Sequence, residues 1–219
     1  MKLLVSDYDG TLKSDIKNLM VNIEAINEFR KKGNHFSIAT GRDYYSIKKE
    51  IDKYNIKYDY LITNDGALTL DGNDNVLSAE IIEEEIIKEL HKILNNKYKN
   101  FNEFKIPNTD TIIELQLITN LFDSLDEIKS LVSSDSSMKI SKLYKLFLKF
   151  IFIKKYCNKS TAIKKIENNY SEIITVGDNL NDLEMLRDYN GYKMLYSYPI
   201  MYTKNIKTTT NVHSLIKKL

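Results

Sequence analysis

The chain has 219 residues, 42% hydrophobic and 28% charged, an ordinary composition for a globular protein able to bury a core of its own. Lysine plus arginine number 32 against 30 acidic residues, a net charge of +2, which gives no support for a nucleic-acid or membrane-surface partner. The single cysteine, Cys157, excludes an internal disulfide, and no apolar run approaches the ~20 residues that span a bilayer, so the reading is a cytoplasmic protein.

The first element is the short apolar run Leu3-Leu4-Val5, which reads as a buried strand and meets Asp7 too soon for a signal peptide. It leads into Asp7-Tyr8-Asp9-Gly10-Thr11-Leu12. Two carboxylates this close repel each other unless a cation lies between them, and oxygen ligands on a tight scaffold suit Mg²⁺. A carboxylate can also accept a phosphoryl group as a nucleophile. On this stretch alone, an Asp-Gly turn following a strand accounts for the same residues.

From Ile16 to Lys32, apolar residues at Ile16, Leu19, Met20, Ile23, Ile26 and Phe29 keep a helical spacing, and Gly33 stops the helix. His35 to Ala39 is a second strand, ending in Thr40-Gly41-Arg42 before a helix over Asp43 to Tyr54. Thr40 is open to two readings, a phosphate ligand at a strand end or the cap of that helix. The lone His35 fits a partly buried structural role. Tyr58 to Thr63 is a third strand, followed by Asn64-Asp65-Gly66-Ala67 and a hairpin pairing Leu68-Thr69-Leu70 with Val76-Leu77-Ser78. Strand, helix and strand alternating this tightly imply a parallel sheet with right-handed crossovers.

The pattern then changes. Ile81 to Leu94 is an amphipathic helix with a glutamate-rich start, Asn100 to Glu103 and Pro107 to Thr111 read as irregular, and Ile112 to Leu117 as a strand. Phe122 to Val132 reads as a helix, Ser133 to Ser137 as a loop and Leu143 to Ile153 as a long strand. No constellation of acids, histidines or cysteines marks this region. It is expected to be an inserted domain, residues 81–153, dividing a core of 1–80 and 154–219. The first pattern resumes with a helix from Asn158 to about Asn168, capped by Asn158 or Ser160, and a buried strand Ile173 to Val176. Gly177-Asp178-Asn179-Leu180-Asn181-Asp182 opens a helix through Arg187, Lys193 to Leu195 is a further strand, and Val212 to Leu219 a closing helix.

Polar residues thus stand at four strand ends or helix starts: Asp7 and Asp9, Thr40, Lys159, and Asp178 with Asn181 and Asp182. Parallel strands bring their carboxyl ends to one edge, and phosphoryl transfer wants this set. In these motifs, in this order, the chain resembles the haloacid dehalogenase superfamily of phosphatases. With Asn64-Asp65-Gly66-Ala67 and Asn158-Lys159-Ser160-Thr161-Ala162 it is most similar to the Cof-type subgroup. The fold this implies is α/β, a Rossmann-like parallel-sheet core with an inserted small α+β cap.

The resemblance implies that Asp7 is the nucleophile and that Asp9 protonates the leaving oxygen and then activates water. It implies Mg²⁺ on Asp7, Asp9 (through its backbone carbonyl), Asp178 and Asp182, the last supporting metal waters or orienting Lys159. Tyr8 (through its backbone), Thr40, Gly41, Lys159 and Asn181 would hold the phosphate. The expected activity is a Mg²⁺-dependent phosphatase for a small phosphorylated metabolite, a sugar phosphate first, in a monomer or weak homodimer. A phosphomutase and a non-catalytic sugar-phosphate-binding module use the same residues and are the alternatives. The insert is short for a Cof-type cap, Leu195-Tyr196-Ser197-Tyr198-Pro199 replaces the family's Asn-Ala pair, and Asp65 interrupts its Asn-Gly-Ala. These departures bear on substrate choice more than on chemistry.

Overall fold

The computed structural model describes residues 1–97, 101–120, 136–143, 147–154, 156–197 and 205–219. The chain divides into two compact units, Met1–Leu77 with Asn158–Leu219, and Ser78–Cys157. The expected edges at 80 and 154 therefore lie at 77 and 158.

The first unit is built on an eight-stranded sheet. In chain order its strands are β1 (Lys2–Ser6), β2 (His35–Ala39), β3 (Tyr60–Thr63), β4 (Leu68–Asp71) and β5 (Val76–Ala79). After the second unit come β10 (Glu172–Gly177), β11 (Asn190–Met194) and β12 (Lys207–Thr209). Their spatial order is β12-β11-β10-β1-β2-β3-β4-β5. From β12 to β3 every pair is parallel, and β4 returns antiparallel to β3. Past their first residues, the central strands β1, β2 and β10 are buried and mostly apolar, as a sheet covered on both faces requires.

Register is what positions the site. Ser6 pairs with Val176 on one side and Ile38 on the other, and Ala39 pairs with Ile62. The residues that follow, Asp7, Gly177–Asp178, Thr40–Gly41 and Asn64–Asp65, therefore leave the sheet side by side at its carboxyl edge.

Helix α1 (Ile16–Lys31) starts at Asp15, whose side chain accepts from Asn18 N at 2.8 Å. Two of its expected apolar positions, Ile16 and Met20, face solvent, and a buried Asn22 takes a place in the core. The Asn22 amide donates to Leu12 O and its oxygen accepts from His213 N, both at 2.9 Å, which ties α1 to the closing helix. Helix α2 (Tyr44–Tyr54) is capped by Asp43, which accepts from Ser46 N at 3.1 Å. The capping reading of Thr40 is thereby removed.

The second unit holds helix α3 (Glu84–Lys97) and strands β6 (Phe101–Lys105), β7 (Ile112–Asn120), β8 (Ser136–Leu143) and β9 (Phe147–Lys154) in an antiparallel sheet ordered β6-β7-β9-β8. Three expectations change here. The long strand expected over Leu143 to Ile153 is instead β9 alone, because Leu143 ends β8 and pairs antiparallel with Phe147. Phe101 to Glu103 is not irregular but part of β6, a half-exposed strand whose polar residues tolerate water on one side. Ser136 and Ser137, expected in a loop, pair with Lys154 and Ile153. The helix expected over Phe122 to Val132 and the remainder of that loop lie outside the described residues, as do Tyr198 and Pro199.

Back in the first unit, α4 (Lys159–Lys164) is capped by Asn158 in a capping box with Thr161, so of the two candidate caps Asn158 is the one used. The helix is shorter than expected, ending at Lys164 before a 3₁₀ turn, Glu167–Asn169. Leu180–Asp182 is likewise a 3₁₀ turn, continuing into α5 (Leu183–Asp188), and α6 (Val212–Ile216) closes the fold. The strand expected at Lys193–Leu195 is β11, which begins and ends earlier. Among the described residues no helix is long and apolar enough to cross a membrane.

Candidate active site

Asp7 directly follows β1, and its N–H donates to Val176 O at 2.9 Å, continuing the ladder with β10. Its carboxylate is almost fully buried. The loop then folds back: Leu12 N donates to Asp7 O at 3.2 Å and Lys13 N to Tyr8 O at 2.9 Å. The turn needs Gly10, whose φ of +82° is left-handed and whose missing Cβ would lie 2.5 Å from Asp178 Oδ2. Thr11, in the same loop, donates to Asp178 Oδ1 at 2.6 Å.

Asp7, Asp178 and Asp182 each offer an oxygen within 4.8 Å of the others. Lys159, wholly buried at the start of α4, donates to Asp7 Oδ1 and Asp182 Oδ1, both at 2.6 Å. The other oxygen of Asp182 accepts from Asp178 N and Asn179 N, both at 3.0 Å. Both Asp182 oxygens are thus committed, and its visible work is to hold Lys159 and shape the Asp178 loop.

Burial pushes the Asp7 carboxyl well above its ordinary value; Lys159 opposes the shift, while Asp182 and Asp178 add to it. Asp178 is raised for the same reason, with the Thr11 hydrogen bond opposing. Burial disfavours the Lys159 ammonium, but Asp182 and Asp7 outweigh it and hold the amine charged. Three carboxylates thus face one fixed cation, and a second cation relieves the excess. The donor set is all carboxylate oxygen, which fits a hard divalent ion such as Mg²⁺, with Asp7 and Asp178 offering the least committed oxygens.

The other predicted residues divide. Asp9 carries its carboxylate outside this cluster, in a bidentate pair with Arg42: Nε to Oδ2 at 2.7 Å and Nη2 to Oδ1 at 2.6 Å. The Arg42 guanidinium also lies 5.2 Å from the Tyr8 ring centroid. The Tyr8 ring is buried and donates its hydroxyl to Glu50 at 2.8 Å, so only its backbone is left to the site. Thr40 is buried, and its hydroxyl oxygen accepts from Arg42 N at 3.1 Å, leaving its own O–H to donate. Gly41 lies beside the Asp65 carboxylate, and Asn181 donates to Asp65 Oδ1 at 2.8 Å.

Sequence reasoning missed Arg42, Asp65, Thr11 and Glu50. Thr11 and Arg42 stood inside the motifs and were readable as polar positions there. Asp65 stands out in the sequence only as an interruption of Asn-Gly-Ala, and Glu50, inside α2, carries no signal.

The model of the haloacid dehalogenase-like hydrolases matches residues 4–113 and 95–194. The chain belongs to that family. A candidate phosphatase of Buchnera aphidicola subsp. Baizongia pistaciae is 28% identical over 84% of this chain and 82% of its own length. Among solved structures, a Thermotoga maritima protein superposes with a TM-score of 0.81 at 19% identity, covering 99% of this chain and 97% of that one. The subclass IIB sugar phosphatase BT4131 does so with a TM-score of 0.73 at 21% identity, over 100% and 97%. As a haloacid dehalogenase-like hydrolase, the chain has the Rossmann-like core and inserted α+β unit that its motifs implied.

Proposed function

We propose that this hydrolase is a Mg²⁺-dependent phosphatase acting on a small phosphorylated metabolite, a sugar phosphate by preference, through a phosphoryl group carried on Asp7. The observation that supports it is the convergence of the Asp7, Asp178 and Lys159 side chains from three separate segments. An Asp7 oxygen attacks phosphorus as the bond to the leaving oxygen breaks, and Asp9, released from its pair with Arg42 and protonated, gives that oxygen its proton. Asp9 then takes a proton from water, the resulting hydroxide attacks phosphorus, and phosphate leaves as its bond to Asp7 breaks. Lys159, Asn181, the Thr40 hydroxyl and the N–H groups at Tyr8 and Gly41 bind the phosphoryl oxygens, where fixed donors in a water-poor site are worth several kcal/mol each. Mg²⁺ would be held by Asp7, the Asp9 carbonyl and Asp178, and would supply positive charge beside the transferred group.

The sugar-phosphate preference is supported by the activity of one structural relative, a sugar phosphatase, and by the small-molecule phosphatase chemistry of the residues. The inserted unit, 78–157, is read as the cap domain that sets substrate choice. The test is phosphate release from p-nitrophenyl phosphate and from a panel of sugar phosphates with Mg²⁺ and with EDTA. Turnover that needs Mg²⁺ and is fastest on a sugar phosphate is the expected result. A folded protein that releases phosphate from none of them loses this function.

A further inference from the structure

Asp65 is an unusual residue to find where it is. It lies in the 3₁₀ turn Asn64–Gly66 after β3, almost fully buried, with φ 52° and ψ 30° in the left-handed region. Asn64 shares that conformation at φ 51°. Non-glycine residues adopt it rarely, and two in succession persist only where the surroundings fix them. Here the surroundings do so: Asn64 N donates to Arg42 O at 2.9 Å and Asp65 N to Thr40 O at 3.1 Å, stitching the turn to the segment that leaves β2.

The turn places one carboxylate among three groups assigned to phosphate. Asp65 Oδ1 accepts from Asn181 Nδ2 at 2.8 Å. A Cβ on Gly41 would stand 3.1 Å from Asp65 Oδ1 and 3.3 Å from Oδ2, so the carboxylate fills the space a side chain there would take. The adjoining Gly66 packs against the start of α4, where its missing Cβ would be 3.2 Å from Lys159 N. The negative charge of Asp65 also helps keep Lys159 protonated.

We propose that Asp65 is a positioning residue for phosphate binding: it takes one amide N–H of Asn181 and leaves the other for a phosphoryl oxygen. The reason is chemical. An ionised carboxylate only accepts, so it selects the Asn181 rotamer that presents nitrogen and rejects the flipped one that presents oxygen. With its rotation fixed, the Nδ2 group has one remaining N–H, and the flipped amide would have met an anion with a lone pair instead. Asp65 thus binds no substrate itself and acts through Asn181.

The proposal rests on the phosphatase reading, and binding of inorganic phosphate separates the two. Calorimetry with Mg²⁺ present is run on the parent, Asp65→Gly, Asp65→Asn, Asn181→Ala and the double variant Asp65→Gly/Asn181→Ala. Glycine and asparagine both suit a left-handed backbone, so the turn survives either change. Losing a hydrogen bond of this kind is expected to weaken phosphate about tenfold in Asp65→Gly. Asn181→Ala should do the same, the double variant should be no weaker than the weaker single, and Asp65→Asn, whose amide can turn either its oxygen or its NH₂ toward Asn181, should recover only part of the loss. With a turnover substrate, Asp65→Gly should raise KM more than it lowers kcat. Parent-like phosphate affinity in Asp65→Gly, even with a lowered Tm, overturns the proposal, as do single losses that multiply in the double variant. A parent that binds phosphate but hydrolyses no monoester removes the phosphatase reading while the binding series still decides on Asp65.

Discussion

Lys159 and Asp182 meet at 2.6 Å with neither side chain exposed to solvent, and the same ammonium reaches Asp7 at 2.6 Å. A cation shared between two buried carboxylates is costly to remove, because the carboxylates stay behind unpaired. Lys159→Met keeps the side chain's volume and deletes the charge. Its unfolding free energy in EDTA, from urea titration, should fall by about 3 kcal/mol. Phosphate release should fall at least about a hundredfold, since a fixed donor to the transferred group is lost. A variant that unfolds at the parent's urea midpoint would show that the pair contributes nothing.

The raised carboxyls give stability a definite pH dependence. Asp7 and Asp178 hold their protons better in the folded chain than in the unfolded one, where the ordinary value is 3.8. Their contribution is therefore complete below that value and is lost as pH rises through the folded-state values. Glu50, lowered first by the Lys13 hydrogen bond, contributes with the opposite sign, but its loss falls at pH below the ordinary 4.5. In EDTA, Tm should be lower at about pH 8 than at about pH 5. Mg²⁺ favours the charged carboxylates and should raise Tm more at the higher pH. The measurement is a thermal scan at both pH values with and without the ion, and a Tm in EDTA that climbs between them contradicts it.

Asp7→Asn removes the attacking oxygen but keeps the shape and an acceptor for Lys159. Turnover should drop by at least about 10⁴-fold, the scale for loss of a nucleophile. Inorganic phosphate should still bind within about threefold of the parent, because Lys159, Thr40 and Asn181 are untouched and one negative charge is gone. Rapid-quench labelling with a phosphorylated substrate should yield no acid-stable phosphoprotein from the variant. Parent-like turnover would eliminate the covalent step.

Arg42 holds Asp9 by both carboxylate oxygens, and Asp9 is the group assigned to proton transfer. Arg42→Ala frees the Asp9 carboxylate, which the pair holds outside the Asp7 cluster with both oxygens occupied, so kcat should rise about threefold. Arg42→Lys keeps the charge without the two-pronged grip and should show a smaller rise. Because the pair is on the surface, the variant's Tm should stay within a few degrees of the parent's. Unchanged kcat in both variants would show that the grip is irrelevant to turnover.

Much of this molecule was readable before any coordinates. The strand at Leu3–Val5, the strand His35–Ala39 and the strand Ile173–Val176 were fixed by short apolar runs bounded by polar turns, and their order implied a parallel sheet. From that followed the meeting of Asp7 with Asp178. The edge strand β6 and the serine-led β8 were not readable, because a half-exposed or serine-rich strand is defined by its hydrogen-bonded neighbour and not by its own hydrophobicity.

Local pattern alone settled which residues end strands and open helices, because backbone conformation depends on near neighbours: an apolar run, a glycine, a capping side chain. Tertiary structure alone decided what each polar group does there. Lys159 finds Asp7 across 152 residues of chain, Asn181 finds Asp65 across 116, and Arg42 finds Asp9 across 33. Hydrogen bonds at such separations depend on strand register and on the exclusion of water, neither of which any short stretch of sequence contains. So the motifs singled out Asp7, Lys159 and Asp178 as polar strand-end residues, while the fold assigned Asp182 to Lys159, turned the Tyr8 ring away, gave Asp9 to Arg42 and brought Asp65 to Asn181.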